Sequence, residues 1–155
     1  MYRIRFHGRG GQGMKTASRI LGSAFFAAGY EVQDAPRYGA ERRGAPIFAY
    51  VRAAREMINE RGIIRRPDLV VVADDTLVPV PASGVLTGVG ERTVLLVNSA
   101  EDAATWQQRL NIRAPVVTLP ASADVEDRAE LPYIGAICAG AAARLVGVIS
   151  RDDLG

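Results

Sequence analysis

The sequence predicts a single α/β domain with a mostly parallel, Rossmann-like sheet covered by helices on both faces. Three observations predict it. Short apolar, β-branched runs alternate with helix-period segments. The runs at residues 69–73 (Leu-Val-Val-Val-Ala) and 93–97 (Thr-Val-Leu-Leu-Val) are continuous rather than alternating, as in strands buried on both faces. A glycine-rich turn lies directly between the first strand pattern and the first helix pattern.

Taken in order, residues 2–7 alternate as a strand, and residues 14–28 read as a helix with Ile20, Leu21, Ala24, Phe25 and Ala28 at helical spacing. Gly29 closes that helix as a C-cap glycine. Residues 30–33 form a short strand, residues 34–46 a loop rich in Gly, Pro and Arg, and residues 47–52 another strand. Residues 55–62 read as a turn or short excursion. After the strand at 69–73 come a strand at 93–97, a helix at 101–110 and a strand at 116–119. Residues 121–130 are polar and acidic, a surface loop or short solvated helix, and residues 133–149 form a small-residue apolar helix. There is no internal repeat and no linker that divides the chain, so residues 1–155 form one domain.

Composition narrows the function classes. A chain of 155 residues, 48% hydrophobic, can bury a core. No apolar run approaches the roughly 20 residues of a membrane span. The first residues lack a charged-then-apolar leader, which makes a cytoplasmic location the expectation. A net charge of +2 is too weak to point to nucleic acid. Lys15 is the only lysine; the remaining basic residues are arginines, whose planar forks suit carboxylates and phosphates, although genomic base composition explains the bias equally well. The single cysteine, Cys138, forms no internal disulfide and supplies too few thiolates for an iron–sulfur cluster, which takes about four. In its alanine-rich surroundings it reads as a small packing residue. One His and one Cys give no metal-site spacing, and no nucleophile elbow is present. No residue of this chain is assigned a catalytic role.

The first candidate site is Gly8-Arg9-Gly10-Gly11-Gln12-Gly13. Its glycines permit positive φ and close backbone approach to a ligand. The helix behind it opens with unpaired N–H groups and a positive dipole end, a ready anion site. Lys15, Thr16, Ser18 and Arg19 could add donors. Gly8, Gly10 and Gly13 also fit the dinucleotide fingerprint, with Asp34 about 20 residues further on where a carboxylate would hold a ribose. A dinucleotide-binding domain is therefore a rival reading, and a purely permissive turn is a third. No Gly-Lys-[Ser/Thr] follows, which excludes a Walker loop.

The second candidate is the loop containing Tyr38, Gly39, Glu41, Arg42 and Arg43, either a ligand- or partner-binding loop or a solvated turn. His7, at the end of the first strand, reads as a packed residue. Asp74 and Asp75 follow a buried strand; carboxylates there serve an active site or cap the next helix, and capping is preferred. Trp106 and Leu110 share a helical face and read as core.

Gly8-Arg-Gly-Gly-Gln-Gly13, then Tyr38-Gly-Ala-Glu-Arg-Arg-Gly44, then Pro67-Asp-Leu-Val-Val-Val-Ala-Asp74, with Leu131-Pro-Tyr-Ile-Gly-Ala-Ile and the closing residues 147–154, stand in this order along nearly the whole chain. The series resembles the gamma subunit, or gamma domain, of pyruvate and other 2-oxoacid:ferredoxin oxidoreductases. The resemblance implies a non-catalytic subunit of an enzyme that oxidatively decarboxylates a 2-oxoacid and transfers the acyl group to coenzyme A. Thiamine diphosphate with Mg then lies on alpha- and beta-type partners, and [4Fe-4S] clusters on a ferredoxin-like delta subunit. Gly8, Gly10, Gly11, Gln12, Gly13, Thr16 and Arg19 would contact coenzyme A phosphates. Tyr38, Gly39, Glu41, Arg42 and Arg43 would shape the site or an interface. Met14-Lys15 departs from the small or β-branched residues expected there.

Overall fold

The computed structural model describes residues 1–36, 44–121 and 133–147. The acidic segment 122–130, the loop 37–43 and the last residues 148–155 lie outside the described residues. Strands β1 (Tyr2–Arg9), β2 (Glu31–Pro36), β3 (Pro46–Ala54), β4 (Leu69–Val72), β5 (Val94–Asn98) and β6 (Val116–Leu119) join in the order β2-β3-β1-β4-β5-β6. β1, β4, β5 and β6 are parallel neighbours, and β3 runs antiparallel between β1 and β2. The mostly parallel sheet is therefore present, with one reversed strand.

Alternation along each strand sorts the side chains. Ile4, Phe6, Val51, Leu69, Val71 and Leu96 point to the face covered by α1 (Met14–Ala27) and α3 (Tyr133–Val146). Val70, Val72, Leu95 and Val97 point to the other, where Trp106 of α2 (Ala103–Leu110) packs. Helices do cover both faces, but α2 reaches only the β4–β6 side. Beneath β1 and β3 the second face is closed by non-helical chain, and two single 3-10 turns, Asp75–Leu77 and Pro81–Ser83, follow β4.

That closure depends on arginine. Arg5 is buried, and its guanidinium donates to the carbonyls of Ile64 (3.1 Å), Gly84 (3.3 Å) and Val85 (2.9 Å). Buried Arg52 donates to the Gly62 carbonyl and to Gln33 Oε1, both at 2.8 Å. The segment read from sequence as a short excursion is thus drawn under the sheet, because buried carbonyls without sheet partners need donors.

Element edges moved where pairing extends them. β1 continues two residues past His7, because Gly8 and Arg9 pair with Ile47 and Pro46 of β3. Asp34, expected in a loop, stays in β2 opposite Val51. α1 stops near the expected Gly29, which has φ +89. Cys138 and Trp106 are core residues as read. Burial pushes the Cys138 thiol up to about 12.

α3 meets the glycine loop backbone to backbone. A Cβ on Gly135 would lie 2.5 Å from the Gly13 carbonyl oxygen and 3.2 Å from that of Gln12. Helix propensity alone favours alanine over glycine by about 1 kcal/mol. The overlap has the opposite sign, and it meets backbone that cannot swing aside. Gly135→Ala is expected to cost about 1–3 kcal/mol in urea unfolding; a neutral or stabilising result would show that α3 does not seat there.

Candidate functional site: the glycine loop at the carboxyl end of β1

The loop leaves the sheet on the side where parallel strands end. Gly10 N–H donates to the Ala45 carbonyl (2.9 Å), and Gly44 N–H donates to the Gly10 carbonyl (3.3 Å). The Gln12 N–H closes a turn on the Arg9 carbonyl at 3.1 Å. Gly13, at φ +80, is the N-cap of α1, and its carbonyl accepts from Ala17 N–H at 2.8 Å. A residue with a Cβ resists that conformation, so glycine is required at this turn.

Side chains hold the turn from within. The Gln12 amide accepts from Arg9 N–H (2.8 Å) and donates to Asp74 Oδ2 (3.1 Å). The Arg9 guanidinium donates to the Gly44 carbonyl (3.0 Å) and Thr76 Oγ1 (2.9 Å), with Nε 3.3 Å from Asp74 Oδ2. Asp74 also accepts from Thr76 N–H at 3.0 Å, so it caps the 3-10 turn as the sequence reading preferred. Asp75 accepts from Ser99 Oγ at 2.7 Å. Sequence reasoning found Asp74 as a cap and missed its hold on Gln12 and Arg9. The two ends of that bond are 62 residues apart, and no local spacing signals it.

Met14 explains its own departure from expectation. It is fully buried, and a Cβ on Gly8 would stand 2.6 Å from its Cγ. Gly8 thus makes room for Met14, which seats the helix start on the core. Gly11 is different: it is exposed, at φ +94, and open space surrounds the position of a Cβ. The first turn of α1 has no side-chain cap and no acidic residue. Thr16 and Arg19 are exposed.

Asp34 does not reach this loop. It is level with Ile4, since both pair with Val51, while the loop begins at Gly8. That is about 13 Å along the strand and about 10 Å across two strands. It faces α1 instead, with its Cβ 3.8 Å from the Cβ position of Gly22. Burial raises its carboxyl pKa, against the opposing pulls of Ser18 and Arg19. The dinucleotide geometry is absent because the reversed β3 occupies the place beside β1 that the fingerprint reserves for the second strand.

His7 is packed, as read, on the sheet face opposite α1. It is 3% exposed and its ring lies 6.0 Å from that of Phe48. Burial and the neighbouring Arg5 charge lower its pKa to about 3. Tyr38, Gly39, Glu41, Arg42 and Arg43 lie outside the described residues; Gly44, where description resumes, is bonded to Gly10 and Arg9. Among the described residues no group of three or more His, Cys, Asp or Glu could hold a metal ion, and no helix is long and apolar enough to cross a membrane.

The family described as "Pyruvate ferredoxin/flavodoxin oxidoreductase" matches residues 3–155. Pyruvate synthase subunit PorC of Methanothermobacter marburgensis is 38% identical over 154 residues, 99% of this chain and 82% of that protein. The crystal structure of pyruvate oxidoreductase subunit PORC from Thermotoga maritima superposes with a TM-score of 0.81 at 32% identity, over 99% of this chain and 80% of that one. The fold also occurs in 2-oxoglutarate:ferredoxin oxidoreductase from Magnetococcus marinus, with a TM-score of 0.70 at 20% identity over 99% of this chain and 25% of that chain.

The His7 environment sets a pH dependence. The unfolded chain takes up a proton at His7 below about 6.5, while the folded chain resists until about 3. Stability is therefore lost as pH falls through that window, by at most about 1.4 kcal/mol per pH unit from this group. Between pH 6.5 and 5, urea unfolding of the wild type is expected to lose about 2 kcal/mol more than that of His7→Gln; parallel profiles would contradict the buried neutral imidazole.

Proposed function

The chain belongs to the pyruvate ferredoxin/flavodoxin oxidoreductase family as a gamma-type subunit, and we propose that its glycine loop holds the diphosphate of coenzyme A for a catalytic centre built by other subunits. The observation that carries the proposal is the start of α1. Its first-turn N–H groups open behind exposed Gly11, with no carboxylate among them and no side chain capping them. Backbone N–H groups at a helix start, with its positive dipole end, suit an anion with more than one phosphate oxygen. Lys15 in the same turn and Arg19 in the next add positive charge.

Each loop residue has a separable part. Gly8 admits Met14, Gly13 turns the chain into the helix, and Gln12 and Arg9 fix the loop to Asp74. These groups position the loop. Gly10 is tied through both its N–H and its carbonyl to the Gly44–Ala45 chain, and Gly11, Thr16 and Arg19 are left to meet the ligand. The loop bearing Tyr38, Gly39, Glu41, Arg42 and Arg43 rejoins the described chain at Gly44, beside the same site, and would shape the coenzyme A pocket or meet a partner there. The Magnetococcus marinus enzyme that shares the fold has coenzyme A bound in its structure.

In this reading the isolated chain is inactive. Alpha- and beta-type partners hold thiamine diphosphate and Mg, a ferredoxin-like delta partner holds the [4Fe-4S] clusters, and the complex works in the cytoplasm. A pure assembly role remains the competing reading; it predicts no response of coenzyme A kinetics to the loop.

Thr16→Glu separates the two. A carboxylate in the first turn of a helix stabilises it by roughly 0.3–1 kcal/mol, so the fold is retained. The same charge repels a bound diphosphate. In the assembled complex, KM for coenzyme A is expected to rise at least about tenfold, about 1.4 kcal/mol, with thiamine content unchanged. Normal coenzyme A kinetics in a stable Thr16→Glu complex would end the phosphate assignment.

A further inference from the structure

The opposite end of the sheet carries a feature that the glycine loop does not use. A cleft of about 620 Å³ at the amino ends of β1 and β4 is lined by five arginines, Arg3, Arg52, Arg61, Arg65 and Arg66, against one glutamate, Glu60. A second cleft of about 620 Å³ shares Glu60 and is lined by Met1, Tyr2, Tyr30 and Met57 among others. Arg3 lies five residues before Gly8 on β1, so the two ends are about 17 Å apart.

The arginines divide into two sets. Arg52 and Arg3 form the floor, and both are tied to Glu60: Arg52 Nε lies 3.3 Å, and Arg3 Nε 3.0 Å, from Glu60 Oε2. Asp68 nearby accepts the Arg3 N–H at 2.8 Å. A small polyanion entering the floor would meet the Glu60 carboxylate. Arg65 and Arg66 form the rim. Both are exposed, and among the described residues no hydrogen bond or ion pair engages their side chains. Ile63, 48% exposed, stands near them, and Met57, 78% exposed, lines the adjoining cleft. Free arginine beside exposed Met and Ile, with half-buried Tyr2 lining the adjoining cleft, is the composition of a protein interface. Uncompensated guanidinium groups cannot be buried against a neutral surface without a large desolvation cost. A protein seated here must bring carboxylates.

We propose that this arginine-rimmed amino end of the sheet is the seat for an acidic face of another subunit of the same complex, with Arg65 and Arg66 pairing with its carboxylates and Ile63 filling an apolar contact between them. This rests on the reading that the chain works as a subunit, and not on coenzyme A binding. A partner at the amino end leaves the glycine loop at the carboxyl end open.

The test is the double charge reversal Arg65→Glu/Arg66→Glu, co-produced with the partner subunits. Subunit ratio is read by native mass spectrometry at low salt and at about 0.5 M salt, where exposed ion pairs are screened. The expected result is loss of one partner, or at least about tenfold weaker association, with Arg65→Lys/Arg66→Lys retaining the complex. Ile63→Asp is expected to weaken the same association. The melting temperature of the isolated variant chain should match wild type, which separates lost docking from lost folding. A reversal variant that keeps the wild-type subunit ratio at both salt concentrations overturns the proposal. An unchanged ratio with impaired reduction of an acidic electron-carrier protein, but normal viologen reduction, also overturns it, assigning the face to a transient acceptor. Because this readout involves no coenzyme A, Thr16→Glu and the charge reversal can fail independently.

Discussion

Close approach of backbone to backbone at the glycine loop is the constraint on which the rest of the molecule depends. Gly135 of α3 lies against the carbonyls of Gln12 and Gly13, and Gly8 yields its side-chain space to Met14. With no Cβ in either place, two helices and the end of β1 converge at one point. Met14 is then fully buried, and the start of α1 is fixed relative to the sheet. A loop built of flexible residues is thereby held in one shape, since Gly8, Gly10 and Gly13 are packed or bonded and only Gly11 stands exposed in open space.

The second sheet face shows the opposite strategy. Where α1 and α3 supply apolar cover on one side, the other side of β1 and β3 presents Arg5, His7 and Arg52, all buried. Burial lowers the pKa of both Arg5 and His7. The consequences differ. Arg5 keeps its charge, because a guanidinium is not deprotonated in proteins, and the carbonyls of Ile64, Gly84 and Val85 solvate it in place of water. His7 begins near 6.5 and is neutral at physiological pH. Irregular chain becomes structural cover because arginine forks satisfy its carbonyls.

The two ends of the sheet are thereby given different chemistry. The carboxyl end offers helix N–H groups and an uncapped first turn, suited to phosphate. The amino end offers guanidinium groups above a floor already neutralised in part by Glu60, suited to carboxylates on a protein surface.

Much of this was legible in the residues. Apolar periodicity gave every strand and helix to within a few positions, because alternation and helical spacing are local properties that burial enforces. Glycine density between a strand and a helix located the loop, and the order of the motifs located the family. Three things needed the tertiary structure. The reversed β3 between β1 and β2 removed Asp34 from the loop, since neighbour order in a sheet is set by long-range pairing that spacing cannot express. The inward turn of Gln12 and Arg9 to Asp74 depended on a contact across 62 residues. The arginines scattered at positions 3, 52, 61, 65 and 66 became one cleft only when β1, β3 and the chain before β4 were brought to the same edge. By itself the sequence determined which segments are regular and where a glycine-rich turn opens a helix, because those follow from each residue's own backbone freedom and polarity. The fold alone decided which polar side chains spend their hydrogen bonds on the protein and which remain for a ligand or a partner, because that depends on groups distant in the chain meeting within about 3 Å.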